Sequence, residues 1–245
     1  MFTSLNPFSY RHKPLPSLVV DVHSHLVPGI DDGVQSMDEA LEMIRVFENL
    51  GYQKLITTPH VMSFRFPNSA EIIQSGVYAL NRVLKSEGIS VEISAAAEYY
   101  LDEHVISLIE KREILTLFDN QLLFELPPTL MPPNLLEIIH EIKLAGYTPV
   151  LAHPERYRYF HGDFSKYENL KEKGVLFQLN LVSLAGFYSK EVKEIAKKLV
   201  ARGMVDLVGS DAHTMKYLEV LTQFRKSKAY HKLFELNSIQ NNRFL

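Results

Sequence analysis

The stretch Leu18-Val19-Val20-Asp21-Val22-His23-Ser24-His25, continued by Pro28-Gly29-Ile30-Asp31-Asp32-Gly33, decides how the rest of the chain is read, because a short apolar run ends there in two histidines and three carboxylates. In an extended strand, residues two apart point to the same side, so His23 and His25 put both imidazoles into one cavity at the strand's end. Two neighbouring neutral imidazoles suit a transition-metal dication. The competing reading is a pair of half-buried histidines capping a strand, each hydrogen-bonded to backbone. A helix follows at once. Ser36-Met37-Asp38-Glu39 has the S-x-x-E form of a capping box, and Ala40, Leu41, Ile44, Phe47 and Leu50 recur at helical spacing until Gly51.

This βα unit predicts the pattern of the remaining chain. Lys54 to Thr58 reads as a strand running into Thr58-Pro59-His60, and a loop with Phe64, Arg65 and Phe66 precedes a helix from Ser69 to Ser86 closed by Gly88. Val91 to Ala97 reads as a strand ending at Glu98, Asp102 to Lys111 as a helix, and Leu122 to Leu126 as a strand containing Glu125. After Pro127-Pro128 and Pro132-Pro133 comes a helix from Asn134 to Ala145, then a strand from Thr148 to Ala152 ending at His153-Pro154-Glu155-Arg156. Val175 to Leu179 ends at Asn180, a helix covers Ser189 to Ala201, and Val205 to Gly209 ends at Ser210-Asp211-Ala212-His213 before a helical remainder. Short β-rich runs alternating with helices imply parallel strands with right-handed crossovers. The expected fold is α/β, a closed and slightly irregular (β/α) barrel in preference to an open sheet.

Position is the useful observation. His23/His25, His60, Glu98, His153 and Asp211/His213 each fall at or just past the C-terminal end of an expected strand, the edge that carries active sites in barrels and open α/β sheets alike. Glu125 sits one residue before that edge. Like-charged carboxylates gathered there would raise one another's pKa, and a divalent cation removes that penalty. With this many ligands, more than one ion is expected, and Mn, Fe and Zn all accept imidazole and carboxylate. Three dications held by Asp32, Glu98, Glu125 and Asp211 with neutral histidines would leave roughly +2 before a hydroxide is added, a field that fits a phosphomonoester dianion.

Bulk properties narrow the class. The chain has 245 residues, 46% hydrophobic and 22% charged, and no linker rich in Gly, Ser or Pro divides it, so one domain is expected from 18 to 245 behind a polar extension at 1–17. A net charge of −3 argues against a nucleic-acid-tracking surface. The chain contains no cysteine, which excludes disulfides and thiolate nucleophiles and leaves His, Asp and Glu to build any metal site. No secretory h-region or membrane-length apolar run is visible, so a cytoplasmic location is expected.

The motifs D-V-H-S-H-L-V-P-G-I-D-D-G, T-P-H, A-A-E-Y-Y, F-E-L, A-H-P-E-R-Y, Q-L-N and S-D-A-H, in order from Asp21 to His213, resemble the PHP (polymerase and histidinol phosphatase) superfamily. More narrowly they resemble the metal-dependent protein-tyrosine phosphatases of bacterial capsule and exopolysaccharide operons. The resemblance implies a distorted (β/α)7 barrel with up to three divalent ions, manganese foremost and iron or zinc as alternatives. Carried over residue by residue, the first ion takes His23, His25, Glu98 and Asp211, with Glu98 bridging to a second that adds Glu125 and His153. The third takes Asp32, His60 and His213. It further implies attack on phosphorus by a metal-bound hydroxide, with Glu98, Asp211 and Arg156 as catalytic residues and Arg156 holding the phosphoryl oxygens in its guanidinium fork. The implied substrate is a phosphotyrosine-bearing protein, a tyrosine autokinase of exopolysaccharide synthesis. A small-metabolite phosphatase such as histidinol phosphatase, a silent binding module of the same fold, and an exonuclease are the alternatives.

Two departures touch the substrate side. Val61-Met62-Ser63 follow T-P-H where relatives often carry basic residues, which makes Arg65 the nearest cation, and Lys216 stands where an arginine is expected after S-D-x-H. Arg65 and Lys216 are therefore candidate phosphate contacts. Asp31 reads either as a hydrogen-bond partner of a ligand histidine or as a turn cap beside Gly33. Phe64 and Phe66 read either as walls for a phosphotyrosine ring or as rim packing. Tyr99 and Tyr100 are expected as site walls. His12, His104, His140, His161 and His231 are expected to be structural or solvated.

Overall fold

The first apolar run forms β1 (Val20–Asp21), and the S-x-x-E signal starts α1 (Met37–Asn49), where Ser36 accepts from the Glu39 N–H and the Glu39 carboxylate reaches back to the Gln35 N–H at 2.7 Å. The computed structural model describes residues 18–245, so the expected extension at 1–17, with His12, lies outside the described residues. Alternation then continues through β2 (Lys54–Thr57), β3 (His60–Val61), α2 (Ala70–Ser86), β4 (Glu92–Ala95), β5 (Glu98–Tyr100), α3 (Glu103–Lys111), β6 (Gln121–Glu125), α4 (Leu135–Leu144) and β7 (Thr148–Ala152). Three short helices are not expected from the sequence: α5 (Arg158–His161) and α6 (Ser165–Glu172) precede β8 (Leu176–Asn180), and α7 (Leu181–Ala185) follows it. The chain closes with α8 (Lys190–Ala201), β9 (Leu207–Gly209), α9 (Met215–Phe224) and α10 (Lys228–Leu236).

Every strand pairing is parallel, in the orders β1-β2-β4 and β3-β5-β6-β7-β8-β9. Two strands resume beyond the ends expected for them, β2 as β3 after Thr58-Pro59 and β4 as β5 after Ala96-Ala97. Pro59 has no N–H to give the ladder. Thr58 N donates instead to Ser24 O at 2.7 Å, Ala96 N to Thr57 O at 2.9 Å and Glu98 N to Pro59 O at 3.1 Å, so the register carries across the breaks. The sheet curls until the end of β9 reaches the end of β1. Ser24 bridges Ala212 in parallel, Asp211 N donates to His23 O at 2.8 Å, and His25 N to Ala212 O at 3.0 Å.

Side-chain alternation sorts the apolar residues into two cores. Val20, Val22, Ile56, Ala96, Leu123, Val150, Ala152 and Leu207 cluster on the concave side of the sheet, plugged at one end by Leu117 and Phe244. Leu55, Ile93, Leu122, Phe124, Leu151, Phe177, Leu179 and Val208 point the other way, into the larger layer beneath the helices, with Ile44, Phe47, Ile73, Leu80, Ile139 and Leu199. Each buried valine, leucine, isoleucine and phenylalanine among them contributes about 1.5–3 kcal/mol. The result is one α/β domain built on a curled parallel sheet, with ten α-helices among the described residues.

Candidate metal centre

The inward alternation that fills the concave core places the polar residues above it. Glu98 follows Ala96 by two, Glu125 follows Leu123 by two, Gln178 and Asn180 follow Leu176 by two and four, and Asp211 follows Leu207 by four. Each therefore points into the same mouth. His153 is one residue out of step with Ala152, and the left-handed conformation at φ 34° turns it in; Asp211 has φ 51°. Such backbone is costly for a residue with a Cβ and persists where the surroundings require it. His23 and His25 lie beyond the end of β1, out of step with Val20 and Val22, yet their Nε2 atoms approach to 3.4 Å.

All nine expected metal ligands meet at this mouth. Four overlapping sets each bring their ligand atoms within 4.8 Å of one another: His23, His25 and Asp211; His23, Glu98 and His153; His60, Glu98 and Glu125; and His25, Asp32, His60 and His213. Glu98 lies at the centre. Its Oε1 is 2.8 Å from His153 Nε2, and its Oε2 is 3.2 Å from His23 Nε2, 3.1 Å from His60 Nδ1 and 3.6 Å from His25 Nε2. None of His104, His140, His161 and His231 belongs to any such set among the described residues.

A relay of hydrogen bonds fixes which atoms face inward. The Asp211 Oδ2 carboxylate oxygen can only accept, so Asn180 Nδ2, at 2.6 Å, donates to it, and Asn180 Oδ1 accepts from Gln178 Nε2 at 3.0 Å. Gln178 Oε1 must then accept from His23 Nδ1 at 2.6 Å, which leaves a lone pair on His23 Nε2 in the neutral ring. His25 Nδ1 gives its proton to Asp31 Oδ2 at 2.7 Å, with the same consequence. Two lone pairs thus face each other beside Glu98 Oε2 and Asp211 Oδ1, and both of these buried oxygens make no well-formed hydrogen bond. Acceptors converging without donors suit a shared cation, so the donor set fits divalent metal.

Protons compete for the same lone pairs. Burial pulls the His23 pKa down, but the Glu98 and Asp211 carboxylates outweigh it and lift it to about 9. His60 likewise rises to about 10, against its burial, through Glu98 and Glu125. Burial pushes Glu98 and Asp211 up, yet the surrounding imidazoles hold both well below the ordinary carboxylate range.

Asp31 fills both roles anticipated for it. One oxygen accepts from His25 Nδ1 and from His60 N at 3.1 Å, and the other caps the turn at Gly33 N, 2.9 Å away. A Cβ on Gly33 would sit 2.3 Å from His25 O, so glycine is required there. Asp31→Asn is expected to cost 10–100-fold in metal affinity, roughly the range for a partner that orients a ligand. Titration of the metal-stripped variant with manganese measures it, and wild-type affinity would refute the orienting role.

Above the ligands opens a cavity of about 750 Å³, lined among others by Phe64, Arg65, Tyr100, Pro128, Arg156 and Tyr217. Arg156 pairs with neither Glu155 nor Asp163. Its Nη1 donates to Asp211 Oδ2 at 3.0 Å, its guanidinium lies 4.7 Å over the Tyr188 ring, and its side chain remains 39% exposed. Arg65 stacks 4.7 Å over Phe66 and reaches Asp32 Oδ2 at 3.5 Å. Lys216 lies on exposed α9 surface with Nζ 5.6 Å from the Phe187 ring and does not line this cavity. Tyr99 points away from the mouth into the core, where its hydroxyl accepts from Leu115 N; Tyr100 lines the cavity.

Sequence reasoning missed Tyr188, whose hydroxyl donates to Asp211 Oδ2 at 2.9 Å, and gave no role to Gln178 or Asn180. Strand parity was the signal available for the last two; none marked Tyr188. Glu155 is another buried member. It accepts from Asn180 N at 3.1 Å and Ser183 Oγ at 2.7 Å, and burial raises its pKa to about 7.

Known proteins resemble this chain in sequence and in fold. YwqE of Bacillus subtilis, a tyrosine-protein phosphatase, is 32% identical over 206 residues, which is 84% of this chain and 81% of that protein. CpsB of Streptococcus pneumoniae, also a tyrosine-protein phosphatase, is 27% identical over 80% of this chain and 84% of its own. A solved chain from the crystal structures of these two proteins, described as unique metal-dependent tyrosine phosphatases, has a TM-score of 0.78 at 29% identity, covering 88% of this chain and 91% of that one. The family model for capsular polysaccharide synthesis, CpsB/CapC, matches residues 19–230, and the chain belongs to that family.

Proposed function

We propose that this chain is a metal-dependent protein-tyrosine phosphatase acting on a phosphotyrosine-bearing protein, with a tyrosine autokinase of capsule or exopolysaccharide synthesis as natural substrate. The observation that carries the reading is the convergence of acceptor atoms of His23, His25, Glu98 and Asp211 without donors, at the floor of a cavity whose wall holds Arg156. Relatives that share the family are tyrosine-protein phosphatases by name.

His23, His25, Glu98 and Asp211 would hold one ion, Glu98, Glu125 and His153 a second, and Asp32, His60 and His213 a third, with manganese as the metal. Such ions supply a deprotonated water as nucleophile and neutralise charge on the phosphoryl group. The chain's own residues do the rest. Asn180, Tyr188 and Arg156 all donate to Asp211 Oδ2, which turns Oδ1 toward the histidines. Arg156, exposed on the cavity side, takes phosphoryl oxygens, and Arg65 brings a second guanidinium to the same cavity. The departing phenolate needs modest help because its conjugate acid has a pKa of about 10.

On this reading the nine strand segments are seven barrel strands, β2/β3 and β4/β5 each being one strand broken near the mouth. Residues 18–245 form the phosphatase domain behind the extension at 1–17, and the protein works in the cytoplasm. No helix among the described residues is long and apolar enough to cross a membrane. Assay of the manganese-loaded protein against a phosphotyrosine peptide and histidinol phosphate tests the reading. The peptide is expected to be preferred in kcat/KM; preference for histidinol phosphate would overturn the protein substrate, and turnover of neither would overturn the enzyme.

A further inference from the structure

The two phenylalanines of the loop after β3 have different fates. Phe66 is committed to the fold: its ring stacks on His60 at 5.6 Å and 11°, beneath the Arg65 guanidinium. Phe64 is 70% exposed and touches one ring, Tyr100, edge-on at 5.4 Å and 83°. An apolar side chain of this size left in water contributes little to folding.

Nor is Phe64 exposed because its loop is loose. Met62 and Phe66 exchange backbone hydrogen bonds at 2.9 Å in each direction, closing a tight hairpin. Asp102 Oδ2 accepts from Ser63 N at 3.2 Å and Ser63 Oγ at 2.7 Å, while its other oxygen caps α3. The neighbouring apolar lining is pinned as well: Tyr157 Oη accepts from Leu126 N at 2.9 Å, and Tyr159 Oη donates to Pro127 O at 2.9 Å.

Strand order puts these groups side by side. β3, β5 and β6 are consecutive in the sheet, so Phe64, Tyr100 and Pro128 form one continuous apolar arc of the mouth, and Arg156 follows β7 next to it. An apolar arc held rigidly above charged ligands, beside a guanidinium, matches a ligand with an anionic end and a flat apolar body. We propose that Phe64, with Tyr100, is a ring subsite that takes the phenyl ring of phosphotyrosine edge-to-face and sets the preference for aryl over alkyl phosphate esters. The proposal rests on the phosphatase reading and adds its specificity determinant.

Inhibition of the manganese-loaded enzyme by benzylphosphonate and methylphosphonate, with a phosphotyrosine peptide as substrate, provides the test. Wild type is expected to bind the benzyl compound more tightly. Phe64→Ala is expected to lower the ratio of the two inhibition constants roughly tenfold, and Phe64→Trp to restore it. Because the side chain is mostly exposed, the alanine variant should fold, which circular dichroism checks. No benzyl preference in wild type, or an unchanged ratio in Phe64→Ala, overturns the subsite while peptide turnover leaves the phosphatase standing. Absence of peptide turnover in wild type overturns both.

Discussion

Glu98→Gln is expected to abolish phosphatase turnover while leaving the domain folded. Glu98 is fully buried, and its two oxygens face His153 on one side and His23, His25 and His60 on the other. An amide keeps the shape but brings a neutral oxygen and an N–H donor to positions where imidazole lone pairs and cations should meet. Loss of a residue that merely orients a ligand costs about 10–100-fold, so loss of Glu98, proposed above to serve two ions, should exceed roughly 100-fold in kcat/KM. The metal content should fall with it. Elemental analysis alongside phosphotyrosine-peptide kinetics decides the matter: full metal occupancy with turnover within tenfold of wild type would remove Glu98 from the centre.

Stripping the metal should lower the melting temperature, and by an amount that grows with pH. In the metal-free protein, His23 and His60 hold protons up to about 9 and about 10, against an ordinary 6.5. A pKa raised by folding contributes stability that is fully present below the unfolded value and lost as pH rises through the folded one. The stripped protein should therefore lose stability from pH 6.5 toward 10. Bound ions displace those protons, so metal affinity strengthens across the same window. At a hundredfold excess over Kd a single bound ion adds about 2.7 kcal/mol, or on the order of 5–10 °C for a chain of this length. Thermal scans with and without chelator at several pH values measure this. An unchanged transition after chelation, or a gap that narrows as pH rises, would contradict the ligand set.

The strands β1, β2, β4, β6, β7, β8 and β9 were legible because each carries its own period. Val20 and Val22, or Val150 and Ala152, alternate as a strand requires, and Ser36, Ser69 and Asp102 announce helices through side-chain oxygens that cap them. The continuations β3 and β5 were hidden, since Pro59 and the polar residues His60 and Glu98 read as strand ends, and only the hydrogen bonds to the Ser24, Thr57 and Pro59 carbonyls show that the register carries on. α5, α6 and α7 escaped notice because α6 is polar apart from Tyr167 and Leu170, α5 and α7 span only four and five residues, and none of the three has a side-chain cap.

By itself the sequence determined that His23, His25, His60, Glu98, Glu125, His153, Asp211 and His213 lie near the C-terminal ends of successive parallel strands, because residue type and hydrophobic period are local properties. Tertiary structure alone decided which atoms face one another. The orientation of His23 depends on a relay through Gln178 and Asn180 to Asp211, and the exposure of Phe64 on a bond from Ser63 to Asp102, 39 residues away. Hydrogen bonds over such separations follow from how the sheet curls, and no local period encodes them.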